Sequence, residues 1–128
     1  MFEKALTNHI QIEVQSSFVA EHSQPDQERY FFKYLIQIHN LGQQPVQLLS
    51  RHWIITDGQG RIEEVRGPGV IGQQPTIAPG ESFQYESFCP LTTPTGTMRG
   101  TYQMSNQDGS QFDVQIPQFF LVEPSSYH

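Results

Sequence analysis

Six consecutive residues, Gly67-Pro68-Gly69-Val70-Ile71-Gly72, reproduce the G-x-G-x-x-G spacing with which dinucleotide-binding folds press backbone amides against a pyrophosphate. That chemistry needs a helix after the third glycine, because the helix N-terminus supplies free N–H groups and the positive end of a dipole. Pro75 and Pro79 follow within a few residues, and neither fits a helix interior. A Rossmann site is excluded, and the favoured reading is a loop whose glycines allow positive φ and close backbone approach. Weak anion binding by exposed amides is the second reading. It gains two cations if the strands flanking Asp57-Gly58-Gln59-Gly60 pair in register, because Thr56 then faces Arg61, Trp53 faces Glu64 and Arg51 faces Arg66. A bound anion would relieve the paired like charges, so Gly67, Gly69, Gly72, Arg51 and Arg66 are the candidate anion or pyrophosphate site. A bulge that slips the register by one residue would undo the arginine pair.

Other chemistry-bearing residues are scattered. His9, His22, His39, His52 and His128 form no H-x-x-x-H or H-E-x-x-H group, and no D-x-D-x-D-G calcium loop occurs, so the residues of any metal site are unknown. His52 is expected to reach Glu63 across the hairpin as a surface pair. Cys89 precedes Pro90 with no histidine nearby in sequence and no G-x-S-x-G elbow, and is read as a packing residue. No catalytic residue is assigned, no cofactor is expected, and the chain reads as a non-enzyme.

The elements that position these residues are strands. The 128 residues fit one domain, 1–128, large enough to bury a core. Seven Lys and Arg against thirteen Asp and Glu leave a net charge of -6, which repels phosphate backbones and anionic lipid. Nucleic acid and membrane are therefore not expected partners. One cysteine cannot close an intrachain disulfide, which suits a reducing cytoplasm, and the start of the chain carries no apolar leader.

Period-two alternation recurs throughout, and nothing sustains the helical i, i+3, i+4, i+7 pattern. A first strand is expected over 9–19 with Ile10, Ile12 and Val14 inward, then a solvated connection over 21–28. A second runs 30–38 with Tyr30, Phe32, Tyr34, Ile36 and Ile38 inward. A third, 46–56, carries Trp53 and turns at Asp57–Gly60 into a partner over 61–66. A long loop leads to a fifth strand over 81–88, a sixth with Met98, Gly100, Tyr102 and Met104, and a last one from Gln111 that pauses at Pro117. Seven or so short strands predict an all-β fold, an immunoglobulin-like or fibronectin type III-like antiparallel β-sandwich, with a closed barrel as the rival. Phe119-Phe120-Leu121-Val122 is apolar on both faces, so this edge is expected to meet a partner or a second copy.

The runs Leu48-Leu49-Ser50-Arg51-His52-Trp53-Ile54-Ile55-Thr56-Asp57-Gly58 and Glu64-Val65-Arg66-Gly67-Pro68-Gly69-Val70-Ile71-Gly72-Gln73-Gln74-Pro75 resemble the signature of the bacterial ApaG family, also called CorD. Pro79–Tyr85, Leu91–Met104 and Phe112–Phe119 extend the resemblance, so that it covers about 8–123. The resemblance implies a fibronectin type III or immunoglobulin-like sandwich. It also implies genetic links to cobalt resistance and magnesium efflux. Related domains in F-box proteins and in a DNA polymerase delta interacting protein imply protein interaction. The family offers no agreed catalytic residues, and Gly67, Gly69 and Gly72 match its customary pyrophosphate proposal. Phe88 departs from the pattern, standing where a small residue usually follows the serine matched by Ser87.

The expected function is thus a cytoplasmic, non-enzymatic module that docks an unidentified protein partner through a strand edge or the glycine loop. A phosphate or nucleotide binder and a direct divalent-metal binder are the alternatives.

Overall fold

The computed structural model describes residues 1–127, and nine antiparallel strands account for most of them. One sheet orders β1 (Phe2–Thr7), β2 (Ile10–Phe18), β3 (Tyr30–Asn40) and β7 (Ser82–Leu91) as β1-β2-β3-β7. The other orders β5 (Ile62–Pro68), β4 (Val46–Asp57), β8 (Thr95–Asn106) and β9 (Gln111–Val122) as β5-β4-β8-β9, with β6 (Thr76–Ile77) also on β4. No α-helix occurs among the described residues, and the 21–28 connection holds two exposed 3-10 turns. β2, β3 and β7 correspond to strands A, B and E of an immunoglobulin-like sandwich, and β5, β4, β8 and β9 to C′, C, F and G. The expected sandwich is the architecture found.

Alternation sets the inner rows. Ile10, Ile12, Val14, Phe32, Ile36 and Ile38 from the first sheet meet Leu48, Met98, Met104, Val114 and Ile116 from the second, all at most 1% exposed. Each fully buried side chain of this size contributes roughly 1.5–3 kcal/mol of apolar transfer, and this joins sheets that no disulfide links. Trp53 sits at the centre, edge-on to Tyr34, Tyr102 and Phe119 with ring centroids 5.5, 6.4 and 5.9 Å away.

Two bulges depart from simple alternation. In β4 the pairing with β8 shifts between Leu48 and Ser50, so even residues point inward before Leu49 and odd ones after it. In β9 the pairing jumps from Gly100↔Ile116 to Met98↔Phe119, which leaves Pro117 and Gln118 opposite Arg99 and turns Phe119 and Leu121 into the core. The strand is continuous through Pro117, and only Phe120 of its apolar run is exposed.

The extra strand, β1, is missing from the sequence reading because Phe2-Glu3-Lys4-Ala5-Leu6-Thr7 presents no clean apolar face. It joins β2 through Asn8 and His9, both at positive φ, in a two-residue hairpin turn. β1 and β2 close one side of the sandwich onto β9. The Ser16 hydroxyl donates to the Phe120 carbonyl at 2.8 Å, and the Gln115 N–H donates to the Thr7 hydroxyl at 3.2 Å. On the other side the edges of β5 and β7 face each other with a gap between them.

Candidate functional site

That gap is a cleft of about 380 Å³. Because of the Leu49 bulge, Arg51, Trp53 and Ile55 turn into it from β4. Glu63 and Val65 line it from β5, and Tyr85, Ser87 and Cys89 from β7. Tyr34 and Met98 form its floor, and Ile71, Phe88 and Pro90 its mouth. Two large apolar side chains stand exposed there, Ile71 at 54% and Phe88 at 49%, with Phe88 stacked on Phe31 at 5.3 Å. Deep in the wall the Tyr85 and Tyr102 hydroxyls meet at 2.5 Å. Desolvation raises both phenols, as it does Tyr34, whose shift is opposed by a hydrogen bond with Ser87.

The glycine loop closes one end of this cleft. Gly69 donates to the Leu49 carbonyl at 2.8 Å, and Val70 and Gln73 exchange bonds of 2.9 Å around Ile71 and Gly72. Gly69 must be glycine: at φ +58° a Cβ would lie 2.2 Å from the Gln73 carbonyl oxygen. The same turn holds Ile71 at φ 43°, a strained conformation for a β-branched residue, and so presents its side chain at the mouth. The amides of Gly69, Val70 and Gln73 thus donate within the protein, as a structural loop requires.

The arginines do not pair. The hairpin register is Thr56↔Ile62, Trp53↔Val65 and Arg51↔Gly67, one residue from the expected pairing. The cause is the turn, in which Asp57 bonds Arg61 and Gly60 takes φ +83°, placing one more residue in the loop. Arg51 lies flat over Gly67 and donates from Nη1 to the Pro68 and Gly69 carbonyls, both at 2.9 Å. Arg66 stands opposite His52, with its side chain 73% exposed and 3.9 Å from Glu64. The slip also redirects His52, which bonds Glu64 at 2.8 Å rather than Glu63. Arg51, Gly67 and Gly69 are brought together, Gly72 is in open space, and Arg66 shares a surface depression with Arg51 and Gly67 while its side chain stands mostly in solvent.

Cys89 is buried in the cleft wall, where desolvation, and then the charge of Glu63, push its thiol up to about 12. The thiolate needed for nucleophilic attack is therefore suppressed near neutral pH. One arrangement has no signal in the linear sequence: the His39 ring lies 2.5 Å through Nδ1 from the Ser82 hydroxyl and 3.1 Å through Nε2 from Glu13. Only the β2-β3-β7 register places these three side by side. A hydroxyl, imidazole and carboxylate in a row could activate a nucleophile. They stand, however, on the outer sheet face rather than in the cleft. Among the described residues no group of three or more His, Cys, Asp or Glu could hold a metal ion, and His128 lies outside the described residues.

The model of the ApaG domain family matches residues 20–106. Protein ApaG of Dechloromonas aromatica is 54% identical over 124 residues, spanning 95% of this chain and 98% of that protein. A solved structure from Bordetella pertussis superposes with a TM-score of 0.88 at 52% identity, covering 90% of this chain and 94% of the other. The C-terminal domain of wzt shares the fold alone, with a TM-score of 0.55 at 9% identity over 94% of this chain and 77% of that one. With its signature segments building the cleft, the glycine loop and the hairpin, the chain belongs to the ApaG family.

Proposed function

We propose that this protein is a non-enzymatic cytoplasmic interaction module that docks a segment of a partner protein between β5 and β7. The observation that carries this reading is the cleft between two strand edges, with Ile71 and Phe88 exposed at its mouth. The partner belongs to divalent-cation homeostasis, the setting implied by the family resemblance to cobalt resistance and magnesium efflux. A photo-cross-linking residue at position 88 of the full chain, in its native cytoplasm, is expected to give a specific adduct, whereas one at exposed Phe120 on the far side is not. Equal labelling from both positions, or none, counts against the reading.

Non-enzymatic action carries its own test. Activated esters are expected to hydrolyse at the buffer rate, and turnover abolished by Ser82→Ala would assign catalysis to Glu13, His39 and Ser82. For the anion reading, the Gly69 and Val70 amides and Arg51 Nη1 already have acceptors inside the protein. A pyrophosphate titration is therefore expected to leave the Gly67 to Gly72 amide shifts unchanged, and saturable shifts would restore it.

A further inference from the structure

The two ends of the cleft differ in charge. Arg51 lies opposite Gly67 and Glu63 opposite Ile55, so cation and carboxylate sit four strand residues apart, about 13 Å. Arg51 keeps its charge although Nη1 is bonded, and Glu63 forms no salt bridge among the described residues. Between them the surface is apolar, formed by Trp53 and Val65, which pair midway along β4 and β5. The Tyr85 hydroxyl meets that of Tyr102, which pairs with Arg51, and Tyr34, which pairs with Ser87, lies edge-on to Trp53, so β7 runs from the positive end toward the negative end.

The free edge of β7 is a row of open backbone groups. Asn40 donates to the Glu81 carbonyl at 3.0 Å and accepts from Gly80 at 2.8 Å, so even residues of β3 face β7. With Ile38↔Phe83 and Ile36↔Tyr85, odd residues of β7 bond β3, and Ser82, Gln84, Glu86 and Phe88 turn their N–H and C=O groups outward. Pro90, without an N–H, ends the row.

Resting on the docking reading above, we infer that the cleft binds an extended partner segment added antiparallel to β7. Its cleft-facing residues, from N to C, are basic, apolar and acidic at every second position. The basic group meets Glu63, the apolar one covers Trp53 and Val65, and the acidic one meets the free face of Arg51. The antiparallel direction fixes the charge order, because the segment begins at the Cys89 end.

The test is a titration of the full chain with the peptide acetyl-Thr-Thr-Lys-Thr-Leu-Thr-Glu-Thr-Thr-amide and with its counterpart in which Lys and Glu are exchanged. Expected are saturable amide shifts over Ser82 to Phe88, slowed exchange of the Gln84 and Glu86 N–H groups, and a change in Trp53 fluorescence. The exchanged peptide binds about fivefold more weakly, the scale of two exposed ion pairs. Glu63→Gln narrows that difference. Gln84→Pro abolishes binding while keeping the melting temperature, since its N–H faces outward. Equal binding of both peptides, shifts elsewhere, or a dimer in sedimentation that Gln84→Pro dissolves would overturn the proposal, the last by assigning the edge to a second copy. Silent titrations beside a position-88 cross-link overturn it and leave the docking reading standing. Silence in both experiments removes the two together.

Discussion

Ile71 joins backbone strain to an exposed apolar side chain. The Val70 and Gln73 bonds hold it at φ 43°, where a β-branched side chain crowds the backbone, and it is 54% exposed. Ile71→Asn is therefore expected to raise stability by about 1 kcal/mol in urea unfolding, because Asn tolerates this region, while weakening any ligand of the cleft. Gly69→Ala is expected to act oppositely, lowering stability by at least about 2 kcal/mol through its contact with the Gln73 carbonyl. The buried acids give a pH dependence. Folding raises the Cys89 thiol to about 12 and raises Tyr34, Tyr85 and Tyr102 as well, so the unfolded chain releases these protons first. Stability from these groups is complete below their unfolded values near 9 to 10. It falls as pH rises toward the folded values, with a slope of about 1.4 kcal/mol per pH unit for each group titrating. Denaturation midpoints from pH 7 to 11 check this, and Cys89→Ala is expected to flatten the slope.

Strand ends are fixed by polar side chains. Asn40 is 1% exposed at the end of β3, where its amide nitrogen donates to the Gln44 and Ile77 carbonyls at 2.8 and 2.9 Å and its oxygen accepts from Gly42 at 2.9 Å. Asn40→Ala leaves those groups without partners and is expected to cost about 2–3 kcal/mol, with early hydrogen exchange at the Gly42 N–H, which loses its acceptor. The β4–β5 hairpin depends on Asp57. Desolvation opposes its charge, but bonds from the Arg61 side chain and from the Arg61 and Gln59 amides prevail and lower its pKa. The stability this gives is present above the unfolded carboxyl value and is lost as pH falls through the lowered one. The deficit of Asp57→Asn in urea unfolding is therefore expected to be present at pH 7 and to vanish in strong acid. Composition identified this turn, but not its register: Asp-Gly-Gln-Gly is compatible with either pairing, and the choice followed from Gly60 at positive φ and the bond from Asp57 to Arg61.

At the scale of the molecule, one apolar interior joins the sheets and the two sides of the sandwich differ. β9 is held by Thr7 and Ser16, so the apolar run Phe119 to Val122 is mostly core, and the open edges are β5 and β7. Trp53→Ala, at the meeting point of three aromatic rings, is expected to cost about 3–5 kcal/mol and to collapse the cleft, measurable as lower stability with loss of peptide binding. The sequence by itself determined the all-β class, the inward rows of β2 and β3, the turn at Asp57–Gly60, the disruption at Pro117 and the non-helical glycine segment. Each depends on chain-local rules: alternation, proline's missing N–H and glycine's freedom at positive φ. Tertiary structure alone decided that Arg51 faces the cleft, that Arg66 does not oppose it, that Glu13, His39 and Ser82 align, and which edges stay open. Those outcomes depend on bulges and on pairing between distant strands. A shift of one residue reverses every side chain beyond it, and only the packing of both sheets together selects the register.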